Sequence, residues 1–469
     1  MQVIEKQRLI SIEILRSICI TVFLIFSLIV VSLPSFYLSD LVFGPLGKYK
    51  FVIDTISDLF NGTFVFLFAV GICWQITKKI LSGKSIYRQL AAMAGLAIFL
   101  EVVDLFYSGL LAPIRQLPFS QTISGGLFPI FVKTGAFIFP TSEQFFQGGL
   151  MAMLGISLFV TMIFLSILLW VQRRFHISAI IPLVTVAIMW LVFLGGLSGE
   201  GFTLSKELFE RGGIYKVISW FIYNWSGRPI ALVGIVPFAL FGAILGLLVY
   251  EAKSLQDYRY NLFFFFLLFT GFIIFLYGAA IVSRIVNDSS YGHTFMYYRL
   301  ILFSFIFILF VITGVLLYFI DIKPARQGIQ KEEAVGSGGL KDDHIYRRKV
   351  RRGLNSFRRI GRIFFTLYLW QAFVLELFSL VRERQFFYSL NLGFLGLNGE
   401  TLNMLFIALV LIFWILFFIF AHFLHFKGTV EYVIYLLFAL RFTILKKEGL
   451  VKSEDPLGWT DLYLFYLDF

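Results

Sequence analysis

LILFSFIFILFVITGVLLYFI, residues 300–320, carries no charged side chain from end to end. At a rise of 1.5 Å per residue, a helix of this length reaches about 30 Å, the thickness of a bilayer's hydrocarbon core. The run is too long for a strand and too uniformly apolar for one face of a soluble helix. Nine more stretches share its character: roughly 10–33, 58–77, 89–111, 145–171, 178–197, 229–250, 262–283, 361–381 and 402–425. Lipid offers no partner to backbone N–H and C=O groups, so such runs cross as helices. The expected fold is an all-α integral membrane protein, a polytopic bundle of about ten transmembrane helices. The stretch 430–445 is apolar but short and reads as an interfacial helix; counted as a span, it would be the eleventh. Residues 122–139 are apolar too, yet include Pro129, Lys133 and several glycines, and read as a re-entrant or interfacial segment.

Composition agrees. Hydrophobic residues make up 59% of the chain and charged residues 14%, against about 25% charge in soluble domains. With a mean hydropathy of +0.86, no soluble surface can be assembled, and the lipid bilayer is the first partner. The two cysteines, Cys19 and Cys73, lie in apolar runs, which excludes a disulfide scaffold or a zinc ribbon. The net charge of +12 fits Lys- and Arg-rich cytoplasmic loops, not nucleic acid.

Loop charges orient the spans. Lys78, Lys79, Lys84 and Arg88 follow the second span, Arg173 and Arg174 the fourth, and Arg347, Arg348, Lys349, Arg351 and Arg352 the eighth. These loops fall on one side when both termini lie there, and the positive-inside rule makes that side cytoplasmic. The expected location is the cell (inner or plasma) membrane. The organisation reads as a membrane core over 1–320, a basic cytoplasmic linker over 321–360 containing Gly336-Ser337-Gly338-Gly339, C-terminal helices over 361–445, and a cytoplasmic tail over 446–469. Residues 198–228 mix acids and bases and read as a short amphipathic surface helix with turns.

Ionisable groups inside spans are costly and mark sites. Glu13 and Arg16 share one face of the first span at i, i+3. They are either an interfacial ion pair reaching cytoplasmic headgroups or an anion site in which Arg16 meets a phosphate. Glu101 and Asp104, also i, i+3, are an intramembrane acidic pair that needs a cation, a shared proton or water. A coupling-ion site, a proton relay and a salt bridge to another helix are all open. Asp54 and Asp58 stand at the start of the second span, where a helix N-terminus favours negative charge. Gln371 in the ninth span reads as an interhelical hydrogen bonder. None of the five histidines has metal-ligand spacing, and no metal is expected; no nucleotide-binding or hydrolase motif occurs.

Several segments resemble one family. Residues 8–19, with Glu13, Arg16 and Ser17, resemble the opening of the heparan-alpha-glucosaminide N-acetyltransferase superfamily and its bacterial YeiB-like relatives, and more broadly of acyltransferase-3 membrane proteins. Arg16 is matched, Glu13 stands where the families have Asp, and Ser17 where they have Gly. Residues 57–71 are similar to the family's second helix, with Asp58 on its Asp, and 144–155 to the start of its fourth. Gly361, Arg362, Thr366, Tyr368 and Gln371 match the YeiB-like C-terminal block, followed by Gly428 and Glu431, with Thr429 in place of Pro. The resemblance implies transfer of an acyl group from cytoplasmic acyl-CoA, acetyl-CoA in the first instance, to a glycan or envelope acceptor across the membrane. Arg16 and Glu13 would lie at the donor site. The acetyltransferases' outer histidine is missing, since no histidine occurs between Arg16 and Asp58. Asp58, then Asp54 or His293, would serve as base. An ion-coupled transporter or permease, and a catalytically inactive member of the fold, are the alternatives. The oligomeric state stays open.

Overall fold

The computed structural model describes residues 9–32, 47–83, 85–112, 115–116, 123–140, 149–175, 178–193, 197–223, 232–252, 254–286, 290–323, 366–371, 374–375, 377 and 399–423. In order these form α1 (Ile10–Ser32), α2 (Gly47–Leu81), α3 (Ile86–Leu110), β1 (Arg115–Gln116), β2 (Ile123–Ser124), α4 (Leu127–Thr134), α5 (Leu150–Phe175), α6 (Ile180–Phe193), α7 (Leu197–Arg211), α8 (Ile214–Ile222), α9 (Leu232–Glu251), α10 (Leu255–Val286), α11 (Ser290–Leu316, continued by a π-helical turn over Leu317–Ile322) and α12 (Gly399–Phe423). Among the described residues, eight helices are long and apolar enough to cross a membrane, so the protein is a helical, multi-pass membrane protein. The fifth expected span is the 14-residue α6, shorter than a straight helix needs to cross. The ninth is described only at 366–371, 374–375 and 377, and the stretch 430–445 lies outside the described residues.

The chain divides into two compact units, one made of 1–16, 58–98 and 153–358, the other of 17–57, 99–152 and 359–469. In the first, α2 and α9 pack side by side. A Cβ at Gly62 would run into the Phe238 ring, one at Gly242 would lie 2.5 Å from the Phe66 carbonyl oxygen, and one at Gly246 would lie 2.9 Å from that of Val70. Both series rise together, so the two helices are parallel. Gly242 and Gly246 form a small-xxx-small seam, which lets backbones approach where no hydrophobic drive operates between helices. Cys73 meets Met162 and Gly83 faces Arg173, so α5 also runs parallel to α2.

The hairpin of α10 and α11 is antiparallel and zipped by aromatic rings. Tyr258 stacks on Tyr318 at 6.2 Å, Phe265 meets Phe310 at 6.0 Å, and Phe272 meets Phe303 edge-on at 4.8 Å. Tilted and edge-to-face pairs suit the ring quadrupole. Beside the Tyr258–Tyr318 stack, Ser254 and Asp257 cap α10 reciprocally, each backbone N–H donating to the other's side chain at 2.9 Å, a capping box with Asp in the acidic place. The Glu251 carboxylate ends α9 and accepts from Gln172 Nε2 at 2.7 Å and from Ser178 Oγ at 3.1 Å. Ser178 Oγ in turn accepts from the Ile180 N–H that opens α6. The ends of α5 and α9 are thereby tied to the start of α6.

In the second unit, residues 122–139 form a two-residue antiparallel ladder with 115–116, Arg115 opposite Ser124, and then the eight-residue α4. Gly135 ends α4 in the left-handed region (φ 75°), its N–H donating to Phe131 O, a conformation glycine adopts without strain.

Gly242→Ala is expected to lower stability by about 1–3 kcal/mol, because the new methyl meets backbone rather than a side chain that can turn away. Gly271→Ala in α10 meets nothing within 4 Å and should leave the melting temperature unchanged or raise it slightly. Thermal melts of both variants in one detergent check the contrast.

Candidate functional site

The first polar cluster is built on the start of α1. Its opening amides have no partner within the helix. Asp321, on the π-helical turn that ends α11, supplies one: Ile10 N–H donates to Oδ1 at 2.8 Å, Ser11 N–H to Oδ2 at 3.1 Å, and Ser11 Oγ to Oδ2 at 2.5 Å. The carboxylate thus caps a helix 311 residues away in sequence, with its charge at the positive end of the helix dipole. Glu13 lies close enough to Asp321 to interact electrostatically. Tyr258 donates its hydroxyl to Gly314 O at 3.0 Å, and the Arg259 guanidinium sits 4.8 Å over the Tyr318 ring. α11 continues through Asp321 to residue 323, past the boundary drawn at 320.

Glu13 and Arg16 are both buried. Arg16 donates from Nη2 to the Leu67 carbonyl at 3.2 Å and lies 4.0 Å over the Phe68 ring. Leu67 falls near the middle of the apolar stretch Leu59–Leu81. Arg16 is therefore inserted against the central part of α2. A cation at that depth is stabilised by carbonyl dipoles and a ring face.

The second cluster lies in the other unit, on α3. Asp104 is buried and accepts a short hydrogen bond from Gly149 N–H, the residue before α5 begins. A side chain at Gly149 would collide with that carboxylate, so the close approach needs glycine. Asp104 thereby does for α5 what Asp321 does for α1, with a backbone amide as a partner. Glu101, one turn earlier, is half-buried, and its Oε2 is enclosed without a hydrogen-bond partner. Tyr368 stacks against Phe23 at 6.2 Å and packs on Tyr107 at 5.8 Å, while Thr366 and Gln371 beside it are buried.

Asp54 and Asp58 lie within α2, which begins at Gly47, so neither is at the helix's N-terminus as the sequence suggested. Asp58 precedes Leu67 by nine residues, about 13 Å along the axis. His293 falls in the first turn of α11. The side chains of Asp54, Asp58 and His293, and the whole of Gly361, Arg362, Gly428 and Glu431, lie outside the described residues. Sequence reasoning missed Asp321 and Tyr258. The one local signal for Asp321 was the apolar Ile322 beyond it, which continues the run that a loop would have ended. Among the described residues, no group of acids, histidines and cysteines is placed to hold a metal ion.

No protein-family model matches the chain, and no curated protein matches it. The resemblance to the transmembrane acyltransferases rests on its own segments.

Asp321→Ala is expected to lower stability by about 1–3 kcal/mol through the loss of three hydrogen bonds at a buried helix end. Asp321→Asn, which keeps one acceptor oxygen, should cost less. Hydrogen exchange at Ile10 and Ser11, read beside the melting temperature, should quicken in the same order.

Proposed function

We propose that the protein is a membrane acyltransferase that moves an acyl group from cytoplasmic acyl-CoA to an extracytoplasmic glycan or envelope acceptor. One observation carries the reading: Arg16 is a buried cation held against the middle of α2 by Leu67 O and Phe68. Acyl transfer from CoA brings an anion toward that depth, the donor's pyrophosphate. A guanidinium fixed in a dry bundle stabilises such charge far better than one in water. Two further points support the reading. Arg16 and the Leu67–Phe68 pair belong to two segments of the resemblance, and they pack directly on each other. Asp58, on a third matched position, lies about 13 Å along α2 from that contact, so donor and acceptor chemistry would approach from opposite ends of one helix. In this mechanism the acceptor hydroxyl or amine gives its proton to Asp58 as it attacks the thioester carbon, the C–S bond breaks, and Asp58 returns the proton so that CoA leaves as the thiol.

Acetyl-CoA binding to the purified protein in detergent, followed by calorimetry, tests this. Wild type is expected to bind saturably and Arg16→Lys, which keeps the charge but loses the planar fork, to bind at least tenfold more weakly. A well-folded wild type that binds neither acetyl-CoA nor longer acyl-CoAs overturns the reading and leaves an inactive relative of the fold or a transporter.

Ion-coupled transport is the second reading, and Glu101 favours it, because a half-buried carboxylate with an enclosed, unpartnered oxygen is equipped to take up a proton or cation. A proton leak in proteoliposomes that responds to an imposed pH gradient and disappears in Glu101→Gln is the expected signature. Equal flux in wild type and variant removes Glu101 from consideration.

A further inference from the structure

The helical hairpin of α7 and α8 sits in the chain between the short apolar α6 and the membrane-length α9. Only residues 194–196 separate α6 from α7, and only 223–231 separate α8 from α9. α7 and α8 pack closely on each other: Ser219 Oγ donates to Ser205 O at 2.5 Å, Trp220 meets Phe209 edge-on at 6.0 Å, and Lys216 Nζ lies 5.0 Å over the same Phe209 ring. On a helical projection Lys216, Ser219 and Trp220 occupy one side of α8. The opposite side carries Ile214, Val217 and Ile218, exposed by 72%, 55% and 42%, with Tyr215 and Phe221 also exposed beside them. The polarity is inverted relative to a water-soluble hairpin: α8 turns its polar residues toward its neighbour and its aliphatic residues away. α7 carries the charges, with Lys206, Glu207, Glu210 and Arg211 all exposed.

We propose that α8 is a membrane-surface helix, lying in the headgroup zone of the bilayer with Ile214, Val217 and Ile218 entering the acyl boundary and α7 stacked on its aqueous side. Continuity with the bilayer carries this assignment. The short connections to α6 and α9 hold the hairpin within a few residues of the surface where those helices emerge, so the aliphatic side of α8 meets lipid before any soluble partner. Charge decides the kind of lipid. Glu200, Glu207 and Glu210 are balanced by Lys206, Arg211 and Lys216, leaving the hairpin without net charge. Attachment is therefore through apolar burial, and anionic headgroups add nothing to it. In this position α8 would anchor the connection between α6 and α9 and limit how far α9 shifts along the membrane normal. This assignment is independent of which reaction the protein performs.

Cys19 and Cys73 are buried, so single cysteines introduced elsewhere accept a nitroxide label selectively. Labels at 214, 217 and 218 on α8, and at 207 and 210 on α7, are compared in nanodiscs of phosphatidylcholine with and without phosphatidylglycerol. In both lipids the α8 labels should collide more with oxygen than with a water-soluble nickel chelate, and the α7 labels should do the reverse. Three outcomes overturn the proposal. Nickel access on α8 equal to that on α7 places the helix in water. Shielding from both probes, with dipolar broadening from a second copy or without it from another polypeptide, means protein covers the face. Oxygen access seen only with phosphatidylglycerol makes the attachment electrostatic. Using three separate positions guards against one label disturbing the hairpin, and a wild-type melting temperature verifies each variant.

Discussion

Every helix begins with backbone N–H groups that its own turns leave unpaired, and hydrocarbon offers them nothing. The architecture is organised around that constraint. α1 and α5 each receive a carboxylate from a distant helix at their first residues: Asp321 for α1, Asp104 for α5. A carboxylate suits the task better than a neutral acceptor, because it offers two oxygens and its charge meets the positive end of the helix dipole. α10, by contrast, is capped by its own Ser254 and Asp257. Glu251 ties three helix ends together through Gln172 and Ser178. Four acids, Asp104, Glu251, Asp257 and Asp321, therefore serve helix ends, which leaves few of the described buried charges for chemistry.

Those few are informative by contrast. Arg16 lies against a carbonyl and a ring in the middle of α2. Glu101 sits one turn from Asp104, yet only Asp104 meets the start of α5. Two acids of like spacing and composition thus have unlike work, and the difference comes from which of them faces Gly149.

The helical membrane class was legible because runs such as 300–320 satisfy a length requirement set by the bilayer itself. The first span was legible almost to the residue: 10–33 was expected and Ile10–Ser32 is found. Ends were harder. α2 extends to Gly47, upstream of Asp54 and Asp58, since polar residues in a helix's first turns do not stop it as they stop an apolar run. The capping of α1 by Asp321 was illegible, because no local spacing signals a pairing across 311 residues. The Gly242–Gly246 seam stood in the sequence as a small-xxx-small pair, but only its neighbour on α2 reveals what it packs against. The candidate site was half-legible: Arg16 and Glu101 stood out as charges in apolar runs, while their surroundings depend on helices far along the chain.

The bond between Asp321 and the start of α1 also sets an order of events in biosynthesis. A ribosome adds about 5–20 residues per second. The acceptor for Ile10 and Ser11 is therefore made roughly 15 to 60 s after the amides it serves. Throughout that interval the first helix can enter the membrane only with its leading turn in hydrated surroundings or held by the insertion machinery. α1 is thus made well before the residue that locks its start, and ten later helices among the described residues are synthesised in between.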